Sequence, residues 1–350
     1  MSEPRIVIAA GGTAGHVVPA IAVADALRAE GADVRFAGGE RAEAELVPAA
    51  GYEIDTLKVE GISRTNPLKA ARAAFKAVAA LGSAARLLRR HRADAVLGGG
   101  GYVAGPVGMA AVLRGTPLVL TEADSHLGLT NRLLAARARR VCLAFPIDGR
   151  DGDHYLLTGR PVPPTITDRD AARAEFGLQP GELTVLVFGG SLGARSINDA
   201  AVRAFAGAPY RVLHVAGRRD FAALQAPDAN YVLREYVVPF GLALAASDLA
   251  VARAGGSVFE LAQYGLPSLL IPYPHASGNH QEANARWMER AGAATVLADA
   301  DLTPDRLRAE VDALVEDEPR RAAMAAAAAA LARPDAAAVI AREVLAAAEA

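Results

Sequence analysis

Ile6-Val7-Ile8-Ala9-Ala10-Gly11-Gly12-Thr13-Ala14-Gly15-His16 is the stretch that decides the fold, because the chain writes the same pattern twice. Its counterpart is Val185-Leu186-Val187-Phe188 running into Gly189-Gly190-Ser191-Leu192-Gly193-Ala194. In each, an apolar strand meets a glycine turn and then a helical stretch. That unit presents free backbone N–H groups to a phosphate or sugar oxygen. Glycine suits it because the turn is tight and a side chain would block close approach. Two such units predict an α/β chain of two Rossmann-like domains with parallel sheets facing a central cleft, suited to a donor on one side and an acceptor on the other.

The rest of the chain agrees with that reading. Strands are expected at 5–10, 33–37, 54–57, 95–97, 117–120 and 140–144, alternating with helices at 19–30, 43–50, 67–92, 106–114 and 127–136. Pro19 and Pro106 are placed in first turns, where a missing N–H costs nothing. Thr158-Gly159-Arg160-Pro161-Val162-Pro163-Pro164 reads as the linker. Strands at 183–188, 210–215, 231–233, 249–252, 268–271 and 294–297 then repeat the pattern, with a helix at 279–291. Two alanine-rich helices broken at Pro334 end the chain. The expected domains are 1–158 and 159–334, with a final helix at 335–350.

At 350 residues the chain is long enough for two domains, each with its own core. A single cysteine, Cys142, permits no internal disulfide and fits a reducing compartment. The N-terminus has no signal-peptide pattern, and no window of membrane-spanning length free of charges is apparent. Charge is divided unevenly: residues 1–158 carry a net +3 and the remainder −5. Between Gly61 and Arg92 lie eight basic residues (Arg64, Lys69, Arg72, Lys76, Arg86, Arg89, Arg90, Arg92) and no acidic one, interleaved with apolar residues. Such a stretch is either a solvated helix face or a surface for an anionic membrane. With 5% aromatic residues and no overall basic excess, nucleic acid is not an expected partner.

Several residues carry candidate chemistry. His16 stands where the first turn becomes a helix, and a neutral imidazole there can take a proton. Capping the helix is the equal alternative. Gly98-Gly99-Gly100-Gly101-Tyr102 and Thr121-Glu122-Ala123-Asp124 each end a predicted parallel strand, where open sheets bind ligands. Glu122 and Asp124 are accordingly candidate acid, base or hydroxyl-binding groups, or solvated loop carboxylates. Arg253-Ala254-Gly255-Gly256-Ser257 opens another helix, suited to a diphosphate, with Arg253 reinforcing the charge and Glu260 suited to ribose hydroxyls. His280, Gln281 and Asn284 lie at helical spacing and suit sugar hydroxyls. His275 and His280 lack further ligands for zinc. The D-x-D pairs Asp151/Asp153, Asp168/Asp170 and Asp299/Asp301 read as solvated turns.

Taken with 100–106 and Gly128-Leu129-Thr130-Asn131-Arg132, these motifs resemble the MurG family, the UDP-N-acetylglucosamine transferases that convert lipid I to lipid II in peptidoglycan synthesis. The resemblance runs the whole length of the chain. It implies the GT-B glycosyltransferase fold, with the last helix crossing back onto the first domain. It also implies an inverting transfer without metal or cofactor at the cytoplasmic face of the cell membrane. The implied partners are UDP-N-acetylglucosamine, undecaprenyl-linked lipid I and the inner leaflet, the last through the basic stretch 62–92.

Position by position, the resemblance assigns Thr13, Ala14 and Gly15 to the sugar-nucleotide and acceptor cleft. His16 becomes the candidate base for the acceptor C4 hydroxyl, with Glu122 nearby. Gly101, Tyr102, Asp124 and Asn131 fall on the acceptor side. Gly190 and Ser191 fall on the donor diphosphate, and Val237 on uracil. Arg253, Gly255, Gly256, Ser257 and Glu260 fall on uridine and diphosphate, and His280, Gln281 and Asn284 on the sugar. The chain departs from the family at Thr121, Ala123 and Asp124, where the family has His, Gln and Asn. It departs at Arg160 and Pro163, where the family has Asn and a phosphate-facing Arg, with Arg160 as the candidate stand-in on the donor side, and at Leu192, where the family has glutamine. The donor-helix start is also one residue shorter. A different acceptor, a UDP-N-acetylglucosamine 2-epimerase and a non-catalytic scaffold of the same fold are the alternatives.

Overall fold

A computed structural model describes residues 3–59 and 67–350, with 67–78 and 277 by backbone alone. Arg64 and the side chains of Lys69, Arg72 and Lys76 in the basic stretch therefore lie outside the described residues. The chain forms two compact units, Met1–Pro163 with Arg333–Ala350, and Pro164–Ala332.

In the first unit the order is β1 (Arg5–Ala9), α1 (Ala14–Ala29), β2 (Asp33–Gly38), α2 (Ala42–Ala49), β3 (Ile54–Thr56), α3 (Pro67–Arg90), β4 (Ala95–Gly98), α4 (Gly101–Arg114), β5 (Leu118–Glu122), α5 (Leu129–Leu134), β6 (Arg140–Leu143) and β7 (Tyr155–Leu157). The sheet is parallel, in the order β3-β2-β1-β4-β5-β6-β7 among the described residues. Ile6, Ile8, Val96, Leu97, Val119 and Leu120 are buried, as the uninterrupted apolar runs of a sheet covered on both faces should be. The strand order reverses between β1 and β4. There the loops after neighbouring strands turn to opposite faces and leave a crevice at the carboxyl ends of the strands.

The second unit comprises α6 (Arg169–Glu175), β8 (Thr184–Phe188), α7 (Arg195–Ala204), β9 (Arg211–Val215), β10 (Tyr231–Arg234), α8 (Gly241–Ala245), β11 (Leu249–Ala252), α9 (Val258–Gln263), β12 (Ser268–Leu270), α10 (His280–Arg290), β13 (Ala294–Val296), α11 (Pro304–Glu316) and α12 (Glu318–Leu331). Its parallel sheet runs β10-β9-β8-β11-β12-β13, so the corresponding crevice opens between β8 and β11. The last helix, α13 (Ala336–Ala348), belongs to the first unit. Its Ile340, Ala341, Val344 and Ala347 share a core with Val17, Val23 and Leu27 of α1.

Two expectations need correction. First, α1 begins at Ala14 and α4 at Gly101, so Pro19 and Pro106 lie inside their helices. The glycine turns lead straight into helix, and each proline removes one internal hydrogen bond instead of sitting harmlessly at the start. Second, β7 is an additional edge strand, paired with β6. Glu318–Ala348 reaches membrane-span length at a mean hydropathy of 1.4, with charged residues inside it, among them Arg333 and Asp335. The chain breaks inside it at Ala332–Asp335, and its two helices pack into different units. The structure places the residues of the expected linker, Gly159–Pro163, with the first unit.

Candidate active site

The crevice of the first unit is built on one buried carboxylate. Glu43, near the start of α2, is completely buried and accepts hydrogen bonds from three other residues. They come from the N–H of Gly12 at 2.8 Å, the N–H of Gly39 at 2.9 Å and the hydroxyl of Tyr102 at 2.7 Å. Burial alone would push this carboxyl upward. The hydrogen bonds from Gly12, its own backbone, Tyr102 and Gly39 outweigh burial and hold it below the usual glutamate value. The Gly11 turn and the start of α4 are thereby clamped together, with Gly101 stacked on the Gly11 carbonyl.

His16 follows on the first turn of α1, where Thr13 precedes the helix and its carbonyl accepts from the His16 N–H at 3.0 Å. A Cβ on Gly100, whose φ is 94°, would lie 2.7 Å from His16 Nδ1, so only glycine lets the ring seat there. Arg160 donates to the Gly15 carbonyl. That carbonyl is the one Pro19, lacking an N–H, leaves without its helical partner. Burial first, and the Arg160 guanidinium second, hold the His16 imidazole below the ordinary histidine value, while the Asp124 carboxylate acts the other way. His16, Gly15, Glu122 and Arg160 line one cleft, whose apolar floor includes Pro19, Val23, Cys142 and Ile340.

Glu122, at the end of β5, is buried and fully occupied. Its carboxylate accepts from the N–H of Asp124 (3.1 Å), the N–H of Gly128 (2.8 Å) and Asn131 Nδ2 (2.8 Å). Asn131 also donates to the Thr121 carbonyl at 2.9 Å, so these two side chains shape the loop 123–131. Burial raises the Glu122 carboxyl above its ordinary value despite those bonds. Tyr102 and Asn131 thus spend their polar atoms on the scaffold, while Thr13, Ala14 and Gly15 stand exposed at the tip of the turn.

In the second unit, Gly190 and Ser191 are exposed at the carboxyl end of β8. Arg253, at the end of β11, is buried and does not stand free for a phosphate. It donates to the carbonyls of Ile271 (3.0 Å) and Pro272 (3.2 Å) and to Ser196 Oγ (2.8 Å), and pairs with Asp299 at 2.6 Å. Asp299 also accepts from Ser196 Oγ at 2.8 Å, so it is a structural partner, not the solvated turn expected. Asp168 caps α6, accepting from the Ala171 N–H at 2.9 Å.

Gly255, Gly256 and Ser257 form the half-buried turn into α9, which carries Glu260. Gln281 Oε1 accepts from the Tyr273 N–H at 2.9 Å, and its Nε2 faces Gly255. Asn284 is buried. Its Nδ2 donates to the Ala254 carbonyl at 3.0 Å, which ties α10 to the same turn. His280 begins α10, half-buried, and Val237 lies buried in the loop after β10.

Comparison with known proteins places this arrangement. The glycosyltransferase family 28 N-terminal domain matches residues 6–143, and the C-terminal domain of that family matches residues 184–340. A Moorella thermoacetica protein named UDP-N-acetylglucosamine–N-acetylmuramyl-(pentapeptide) pyrophosphoryl-undecaprenol N-acetylglucosamine transferase is 44% identical, over 95% of this chain and 96% of its own. A Salinibacter ruber protein of the same name is 42% identical, over 99% and 97%. The crystal structure of Acinetobacter baumannii MurG superposes with a TM-score of 0.79 at 30% identity, covering 98% of this chain and 99% of the other.

The chain belongs to the MurG family. It is a glycosyltransferase of the GT-B fold, with the two parallel-sheet Rossmann-like units expected from its paired glycine turns.

Within this MurG-family chain, some site residues escaped the sequence reading. Glu43 was hidden because an acidic residue at the start of an alanine-rich helix reads as a solvated partner of the helix dipole. Asn198, His214 and Asp220, beneath the second glycine turn, were hidden because their partners lie on other elements. No local pattern signals either group.

Proposed function

We propose that this chain transfers N-acetylglucosamine from UDP-N-acetylglucosamine to the C4 hydroxyl of the muramyl residue of undecaprenyl-linked lipid I, with inversion, giving lipid II. The observation that carries this reading is the match along nearly the whole length to transferases bearing that name. In the reaction the acceptor oxygen forms a bond to the anomeric carbon, the bond from that carbon to the β-phosphate oxygen breaks, and UDP leaves. His16 takes the hydroxyl proton. A base must be unprotonated to do so, and burial with the Arg160 charge keeps the imidazole in that form at neutral pH. Glu122 acts through the loop 123–131, holding Asp124 and Asn131 in place beside the acceptor. Thr13, Ala14, Gly15, Gly101 and Tyr102 form the rim of that side.

The donor is taken by the second unit. Its diphosphate meets Gly190, Ser191 and the turn Gly255-Gly256-Ser257, its ribose meets Glu260, its uracil meets the backbone at Val237, and its sugar meets His280 and Gln281. Arg253 and Asn284 hold this turn and the loop at Pro272 in position.

We also propose that the chain works as a peripheral protein of the cytoplasmic membrane face, through the stretch 62–92. Supporting this, α4 and α5 expose Leu113 (71%), Leu129 and Leu133 (65%). Lipid-linked acceptor and apolar surface then share the first unit.

The test is UDP release from UDP-N-acetylglucosamine with and without a soluble lipid I analogue. Release that requires the analogue and is lost in Glu260→Ala is expected. Release or epimerisation of the donor without any acceptor would overturn the reading.

A further inference from the structure

The second glycine turn rests on a chain of buried polar groups to which the proposed chemistry assigns no role. His214, on β9 next to the edge strand β10, is completely buried and uses both ring nitrogens. Its Nε2 lies 2.9 Å from Asn198 Oδ1, and its Nδ1 lies 2.7 Å from the hydroxyl of Tyr231 on β10. Asn198, on the first turns of α7 and also completely buried, donates from Nδ2 to the Ala216 carbonyl at 2.9 Å and to Asp220 at 3.3 Å.

That one carbonyl fixes every proton in the chain. Ala216 can only accept, so the amide nitrogen of Asn198 must face it and the amide oxygen must face His214. His214 then carries its proton on Nε2, and Tyr231 donates to Nδ1. The chain has a single direction, from Tyr231 through His214 and Asn198 to the Ala216 carbonyl.

The Ala216 carbonyl is where two turns touch. Gly193 of the glycine turn crosses the loop after β9 at this point, and a Cβ on Gly193, whose φ is 81°, would collide with the carbonyl oxygen. At the same place Asp220 gathers two exposed guanidinium groups, Arg195 at 3.2 Å and Arg219 at 2.9 Å. Arg219 also reaches the Gly193 carbonyl at 3.4 Å, and the Arg218 N–H reaches the Ser191 carbonyl at 3.4 Å. Apolar side chains would pack α7 on β9 equally well. The polar chain adds a fixed height for the glycine turn and a fixed place for two cations beside it.

We propose that Asn198, fed by His214 and Tyr231, is a positioning residue that sets the glycine turn 189–194 and the Arg195–Asp220–Arg219 cluster for a nucleoside diphosphate. The proposal rests on the reading that the second unit takes UDP-N-acetylglucosamine. Asn198→Asp keeps shape and volume but puts a second acceptor against the Ala216 carbonyl. It is expected to raise the KM for UDP-N-acetylglucosamine, and the Kd for UDP by calorimetry, at least tenfold, with kcat changed less than threefold. Tyr231→Phe, two links further from the turn, is expected to raise that KM less than a third as much while lowering the Tm comparably. Asp220→Asn, which keeps shape and volume and leaves His214, Asn198 and Tyr231 unchanged, serves if Asn198→Asp does not fold, and is expected to raise the donor KM about threefold.

A folded Asn198→Asp or Asp220→Asn protein with wild-type donor KM overturns the proposal, as does Tyr231→Phe raising it as much as Asn198→Asp. Wild-type chain is assayed first. Absence of transfer there sinks the functional reading itself, whereas transfer with unaltered donor KM in the variants sinks only the positioning role.

Discussion

The two glycine turns look alike in sequence but are held in opposite ways. The first, 11–16, is pinned by an ionised carboxylate: Glu43 draws in two backbone N–H groups and one hydroxyl. The second, 189–194, is pinned through a neutral amide and a neutral imidazole, and charge appears only at the surface end, where Asp220 meets Arg195 and Arg219. The helices that follow differ in kind too. The first carries in its opening turn His16, whose proton affinity is reduced, and the second opens with Arg195, whose guanidinium pairs with Asp220. A common backbone device thus carries an imidazole of lowered proton affinity in one unit and a pair of guanidinium groups gathered by a carboxylate in the other, and the supporting groups make the difference.

The contrast can be broken most severely at His16. His16→Ala is expected to lower kcat by about 10²–10⁴ with UDP affinity retained, the usual contribution of a positioned base. Equal turnover in the variant would remove the distinction between the turns. Next in size, Glu43→Leu should cost about 2–4 kcal/mol in urea unfolding of the first unit, because buried donors lose their acceptor, while UDP binding to the second unit persists.

Acid titration separates the clamps further. Burial pushes the His214 imidazole down to about 4, from 6.5. The unfolded chain therefore binds the proton first, and stability falls as pH drops from 6.5 to about 4, by about 3 kcal/mol at most. His214→Gln should abolish that loss in urea midpoints measured across the window. Glu43 is shifted downward from 4.5. Its contribution is complete above 4.5 and is lost only as the pH falls through its lowered value. The smallest expected effect is at Arg160. In Arg160→Gln the acid limb of the kcat/KM profile should move to higher pH, since a positive charge that disfavours the imidazolium is gone. An unmoved limb would detach Arg160 from His16.

Much of this was legible in the sequence. The apolar runs at 6–10 and 185–188 and the glycines after them marked both Rossmann-like units, because a strand buried on both faces has little choice of residue. His16 was legible because it directly follows the turn. Helix starts were misread at Pro19 and Pro106, where tertiary contacts override the rule that proline opens a helix. Arg253 looked like a phosphate ligand, yet its neighbours in space are Ser196 and Asp299, 57 and 46 residues away in sequence, and they consume it. Glu43 and Asn198 were silent for the same reason: a buried polar residue is explained by its partners, and sequence spacing does not name them.

The last helix has a consequence for biosynthesis. Ile340 of α13 forms part of the floor beneath His16, and the entire second unit is translated before α13 emerges. A nascent chain on the ribosome can therefore complete its second unit while the cleft around His16 still lacks a wall. Messages truncated or stalled before codon 336 yield polypeptides with an open apolar core in the first unit, the kind of surface that chaperones and proteases recognise. Placing the final wall of the His16 cleft in the final helix makes that cleft a feature of finished molecules.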